Sequence, residues 1–128
     1  MNQLKRLPDA ELEVMNALWA TEEALTRPEL ERRLADKGWA STTVLALLTR
    51  LEEKGFVTRR KQGRGYLYEA AVPRREYAGT EVRTALGRMF GGSAKNLVAA
   101  LAETDALTEA DIDELSDYLE QLKKRHRT

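Results

Sequence analysis

Lys37-Gly38-Trp39-Ala40-Ser41-Thr42-Thr43-Val44-Leu45-Ala46-Leu47-Leu48-Thr49-Arg50-Leu51 decides the fold. Val44, Leu47, Leu48 and Leu51 fall at i, i+3, i+4 and i+7, the spacing that puts four side chains on one face of an α-helix. That face is expected to be core. The helix should begin near Ser41, reach Lys54 and stop at Gly55. Upstream, Thr26-Arg27-Pro28-Glu29 matches an S/T-x-x-E capping box with proline in the first turn. A helix therefore opens there, carries Leu30 and Leu34, and is expected to stop at Gly38. Only Lys37 to Ala40 join the two helices. A short turn containing glycine between two such helices is the helix-turn-helix pattern.

Working outward, a first helix is expected from Asp9 to Thr21, with Asp9 as N-cap. Leu12, Met15 and Trp19, with Val14 and Leu18, give it a wide apolar face. After Gly55 come Phe56 to Lys61, then Gln62-Gly63-Arg64-Gly65, then Tyr66 to Ala70. Two β-rich runs around a Gly-x-Gly turn predict a hairpin. Three helices followed by a hairpin is the order of a winged helix-turn-helix, with the last helix set for a major groove and the hairpin as wing.

Pro73 closes that region. Residues 74–90 predict a helix carrying Val82, Leu86, Met89 and Phe90, and Gly91-Gly92 breaks it. Ser93 can cap a helix to Glu103. Thr108-x-x-Asp111 is a second capping box, opening a helix in which Ile112, Leu115, Leu119 and Leu122 repeat in a short a/d seam. The expected fold class is mainly α: a winged helix-turn-helix domain over 1–72, then a small α-helical dimerisation domain over 73–128. The later segment has too few apolar residues for a robust core of its own. Leu97, Leu101, Ile112, Leu115, Leu119 and Leu122 are the candidate dimer contacts; the alternative is that the stripe packs within the chain.

Composition narrows the function. The chain has 128 residues, 21 Lys/Arg against 21 Asp/Glu, no cysteine and a single histidine, His126. Disulfides, thiolate metal sites and cysteine nucleophiles are excluded, and neither a multi-histidine zinc site nor a catalytic triad is expected. No cofactor is expected, and no enzyme activity. The longest wholly apolar run, Leu97 to Ala102, has six residues, against about 20 for a spanning helix. The N-terminus lacks a secretory h-region. A cytoplasmic protein without membrane insertion is expected. With no metal ligands and no convergent polar cluster in an apolar setting, no ligand pocket is expected either.

Charge is segregated beneath the neutral total. Arg27 to Arg64 holds ten basic and five acidic residues, a net of +5, whereas Glu103 to Glu120 holds eight acidic and no basic ones. Opposite the apolar face of the third helix lie Thr42, Thr43, Leu45, Ala46, Thr49 and Arg50. That face has no carboxylate before Glu52, as a surface between two phosphate backbones requires. Thr42 and Thr43 can hydrogen-bond phosphate or base, Ala46 can meet a thymine methyl, and Arg50 can reach phosphate or a guanine edge. Arg59, Arg60, Lys61 and Arg64 suit a wing along a backbone or in a minor groove. The competing reading of Arg59 to Lys61 is a solvated strand edge that blocks aggregation. Gly63-x-Gly65 is a turn rather than a phosphate loop, since no helix follows it. A double-stranded DNA operator is the expected partner. A winged-helix regulator of another signal and a winged-helix protein–protein adaptor stay open as alternatives.

The combination has a family likeness. Leu7-Pro8-Asp9-Ala10-Glu11-Leu12-Glu13-Val14-Met15, with Leu18-Trp19, resembles the opening of the penicillinase-repressor family, regulators of β-lactamase and methicillin-resistance genes. Trp39 to Val44, Leu48-x-Arg50-Leu51 and Lys54 to Val57 resemble its recognition-helix segment. Arg64 to Tyr68 resembles its wing strand, and Asp113-Glu114-Leu115 a detail of its C-terminal half. The resemblance implies a homodimeric repressor on a palindromic operator with TACA/TGTA-type half-sites. It also implies release by proteolysis of the C-terminal domain, triggered by a membrane sensor-protease system. Two departures stand out. The copper-responsive branch uses Cys-x-Cys motifs, and this chain has no cysteine. The antibiotic-responsive branch is cut at an Asn-Phe bond, whose matching positions here are Ala100 and Leu101.

Overall fold

The computed structural model describes residues 5–127. Helix α1 (Asp9–Trp19), strand β1 (Leu25–Thr26) and helix α2 (Arg27–Arg33) come first, followed by a single 3-10 turn, Ala35–Lys37. Helix α3 (Ser41–Glu53) precedes the hairpin of β2 (Val57–Gln62) and β3 (Gly65–Ala70), and three helices complete the chain: α4 (Arg74–Phe90), α5 (Ala94–Glu103) and α6 (Glu109–His126). The sheet is antiparallel in the order β1-β3-β2.

Local chemistry sets most of these boundaries. Both capping boxes form: the Thr26 side chain accepts from the Glu29 amide, and that of Thr108 from the Asp111 amide, each answered by the returning carboxylate. The Thr26 amide, donating to Glu29 Oε1 at 2.8 Å, holds that carboxyl below its usual range, with the Thr26 hydroxyl adding to the effect. Asp9 is not the cap of α1. Pro8 occupies that position and caps nothing with its side chain, and Asp9 sits in the first turn, where its charge still favours the helix dipole. Helix α2 stops at Arg33 rather than at Gly38, because Leu34 turns into the core and the chain tightens into the 3-10 turn. Gly38, at φ +68°, then supplies the left-handed residue that redirects the chain into α3.

The core lies between α1, α2, α3 and the sheet. Val14, Met15, Leu30, Val44, Leu48, Leu51, Phe56 and Val57 are fully buried in it. It runs past Pro73. Tyr77 of α4 is buried, its ring edge-on to Phe56 at 5.6 Å and tilted against Trp19 at 5.9 Å. The Leu7 amide donates to the Tyr77 hydroxyl at 2.8 Å, and that hydroxyl donates to Glu81 at 3.0 Å. Burial pushes the Tyr77 phenol above its ordinary pKa. The first compact unit accordingly ends at Glu81, inside α4 and beyond the expected 72/73 boundary. The second unit, from Val82 on, contributes no buried residue among those described.

Among the described residues one charge is buried. Glu11 of α1 is 3% exposed, and Lys54, the C-cap of α3, donates to its carboxylate at 2.5 Å. Removing the ammonium leaves a buried carboxylate without its partner. Lys54→Met should therefore destabilise the first unit by about 1–3 kcal/mol. Urea unfolding checks this, and an unchanged midpoint would mean that Glu11 finds water or another donor.

Candidate nucleic-acid interface

Helix α3 turns Val44, Leu47, Leu48 and Leu51 inward, so Thr42, Thr43, Leu45, Ala46, Thr49 and Arg50 stand in solvent. Each end of α3 is tied. Ser41 donates its hydroxyl to Glu31 of α2, and Lys54 holds Glu11 of α1. Glu31 in turn pairs with Arg27 at 3.1 Å. Thr49 spends its hydroxyl on the Leu45 carbonyl at 2.9 Å, leaving Thr42, Thr43 and Arg50 as the polar groups free to reach outward. Among the described residues, no carboxylate lies within ion-pair distance of Arg50, Lys61 or Arg64.

The four wing cations are not equivalent. In the register of the hairpin Arg59 faces Tyr68, Arg60 faces Leu67 and Lys61 faces Tyr66. Side chains alternate along a strand, so Arg59 and Lys61 share the tyrosine face and Arg60 takes the other. The Arg59 guanidinium stacks on the Tyr66 ring, 4.3 Å from its centroid, and its Nε is 3.1 Å from Glu52 of α3. Arg60 lies 3.5 Å from Glu69. Arg64 sits in the turn, exposed.

Strand β1 was not legible in the sequence, and it changes the surface. Its pairing with β3 brings Thr26, Arg27 and Pro28 beside the hairpin. Together with Leu45, Arg59, Arg64, Tyr66 and Tyr68 they enclose an open cleft of about 610 Å³, where the sequence predicted no pocket. No group of three or more His, Cys, Asp or Glu side chains among the described residues converges to hold a metal ion. No helix among them is long and apolar enough to cross a membrane.

The six candidate dimer contacts lie on α5 and α6. Ile112 and Leu119 are about half exposed, at 52% and 50%, and Leu101 is 38% exposed; Leu97, Leu115 and Leu122 are partly covered. Ala100 and Leu101 lie inside α5, Ala100 half-buried.

A sequence model of the penicillinase repressor family matches residues 7–121. The chain belongs to that family. It is 28% identical over 127 residues to the penicillinase repressor of Bacillus licheniformis, covering 99% of each chain. It is 28% identical over 118 residues to the methicillin resistance regulatory protein MecI of Staphylococcus aureus, covering 92% of this chain and 96% of the other. Among solved structures, the DNA-binding domain of the repressor BlaI superposes with a TM-score of 0.52 at 29% identity, covering 60% of this chain and 94% of that one. The monomeric form of Bacillus licheniformis BlaI in complex with the blaP half-operator gives 0.50 at 29% identity, with the same coverage. A MarR family protein from Bacillus stearothermophilus shares the fold, with a TM-score of 0.54 over 97% of this chain and 78% of that one, at 14% identity. The winged helix-turn-helix assignment stands on these likenesses and on the observed order of helices and hairpin.

The Glu52–Arg59 pair couples the wing to α3. Both side chains are more than a third exposed, at 36% and 41%, so the pair is screened by solvent. A double-mutant cycle of Glu52→Ala and Arg59→Ala should give a coupling of about 0.5–1 kcal/mol. Additive unfolding free energies would show that the contact carries no energy.

Proposed function

We propose that the chain is a homodimeric transcriptional repressor of a palindromic operator, with α3 in the major groove and the hairpin on the flanking backbone. One observation carries this reading. The exposed face of α3 is free of carboxylates up to Glu52, Glu52 is engaged by Arg59, and a hairpin bearing four cations stands beside it. The likeness to a repressor whose complex with a half-operator has been solved supports it. Thr42, Thr43 and Ala46 meet base edges and Arg50 a guanine or phosphate. Lys61 and Arg64 meet phosphate directly, while Arg59 and Arg60 exchange their glutamates for it. The first compact unit binds DNA and the second dimerises. β-Lactamase or related resistance genes are the proposed targets.

The two kinds of contact separate experimentally. In gel shifts on the DNA upstream of its own gene, Thr43→Ala should cost about 1–3 kcal/mol, mostly on the specific site. Arg64→Ala should weaken all sequences alike and lower the salt slope by about one phosphate. Unchanged affinity and discrimination in both would refute the groove assignment.

Dimerisation rests on the second unit, which leaves Val82, Met89, Val98, Leu101, Ile112 and Leu119 exposed and fully buries no residue among those described. Covering such side chains with a second copy gains about 25 cal/mol per Å² of apolar surface. Leu115→Asp should give monomers in analytical ultracentrifugation and loss of tight palindrome binding, since each half-site alone binds weakly. A dimeric variant would move the interface elsewhere.

Release by proteolysis within α5 completes the proposal, with a membrane sensor-protease system as the partner that initiates it. Helix α5 lies between Gly91-Gly92, at φ +58° and +79°, and Asp105, the single non-glycine residue with positive φ among those described. Local opening between these breaks gives a protease the unfolded stretch it needs, and a cut at Ala100-Leu101 detaches α6. Immunoblots of the native host after β-lactam addition test this, and derepression with the chain intact would overturn it.

A further inference from the structure

The cleft between α2, α3 and the hairpin has a composition that DNA binding alone does not use. Arg27, Arg59 and Arg64 line it; Glu31 and Glu52 pair with the first two, so Arg64 is the lining cation with charge to offer an anion. Pro28, Leu45, Tyr66 and Tyr68 give it an apolar and aromatic wall, with Thr26 and Gln62 beside them. Leu45 is 39% exposed there, although its neighbours Val44 and Leu47 are buried. The volume, about 610 Å³, falls within the roughly 300–1,000 Å³ of small-molecule sites. Arg59 is pinned against the Tyr66 ring and by Glu52, which fixes one wall of the cleft. Arg64 has no carboxylate partner among the described residues and remains available.

We propose that this cleft binds a small planar aromatic carboxylate, its ring between Leu45, Pro28 and Tyr66 and its carboxylate on Arg64. A phosphodiester would satisfy the cations and leave the apolar wall wet. A planar aromatic acid satisfies both, because it loses apolar surface to water while its charge stays on a guanidinium at the rim. Such a ligand occupies the space in front of Leu45 and Arg64, so it and an operator exclude each other. That consequence rests on the operator reading above; binding of the acid does not.

The test uses the full-length chain and 1-naphthoate, followed by calorimetry and by backbone amide shifts. The expected result is saturable binding with shifts at 26–28, 45 and 59–68. Arg64→Gln and Leu45→Asn should each weaken it at least about tenfold. Lys95→Gln, the same charge change on α5, should not. Naphthoate should also release a labelled operator at an ionic strength where sodium chloride does not. Binding that fails to saturate by about 10 mM, shifts elsewhere, or affinity unaffected by Arg64→Gln would overturn the proposal. A chain that binds naphthoate and retards no operator would sink the operator reading and leave the cleft assignment standing. Operator binding without naphthoate binding does the reverse.

Discussion

The burial of one face of α3 constrains everything else in the first unit. Val44, Leu48 and Leu51 have almost no exposed surface and Leu47 little, so the rotation of α3 about its axis is fixed. Successive residues of a helix are about 100° apart, and a small rotation would trade buried leucine for threonine. The same packing that stabilises the unit therefore decides which side chains look outward. Ser41–Glu31 at one end and Lys54–Glu11 at the other pin the helix along its length. A rigid element pinned at both ends is what a groove-reading surface needs, because its contacts lose value when they are displaced by an ångström.

Much of this was legible in the sequence, for identifiable reasons. The i, i+3, i+4, i+7 spacing in α3 and the two capping boxes are local signals with a local cause, and all three appear in the structure. What escaped depends on partners distant in the chain. Strand β1 has two residues, too few for an alternation, and exists because β3 offers Tyr68 and Leu67 as partners. Tyr77 reads as an ordinary helical residue until Phe56, Trp19 and the Leu7 amide surround it, and it carries the first unit to Glu81. The wing illustrates the limit for site residues. Four cations in the hairpin were evident, but their division between two faces follows from register, and the pairing of Arg59 with Glu52 from the packing of the wing on α3.

That division bears on how the wing works. Ion pairs at an exposed surface gain at most about 1 kcal/mol. Exchanging Glu52 or Glu69 for a phosphate therefore costs Arg59 and Arg60 little. Both guanidiniums already stand beside a carboxylate, and Arg59 lies on the Tyr66 ring as well. Among the described residues Arg64 and Lys61 have no such carboxylate partner, so on the operator reading their full charge would serve long-range attraction while Arg59 and Arg60 would exchange partners.

The second unit stands in contrast. Fixing a backbone costs about 1–2 kcal/mol per residue, and a unit with no buried residue among those described has little interior of its own to offset that. Caps contribute about 0.5–2 kcal/mol each, and α5 and α6 carry side-chain caps, from Ser93 and Thr108. Local signals of that size do not hold helices in place over this length. On the dimer reading, association supplies the missing burial, and the order of α5 and α6 then depends on chain concentration. On that reading two half-sites would be held together only while those helices are ordered, so opening α5 and losing grip on DNA would be one event, and a cut between Gly91-Gly92 and Asp105 would act on both.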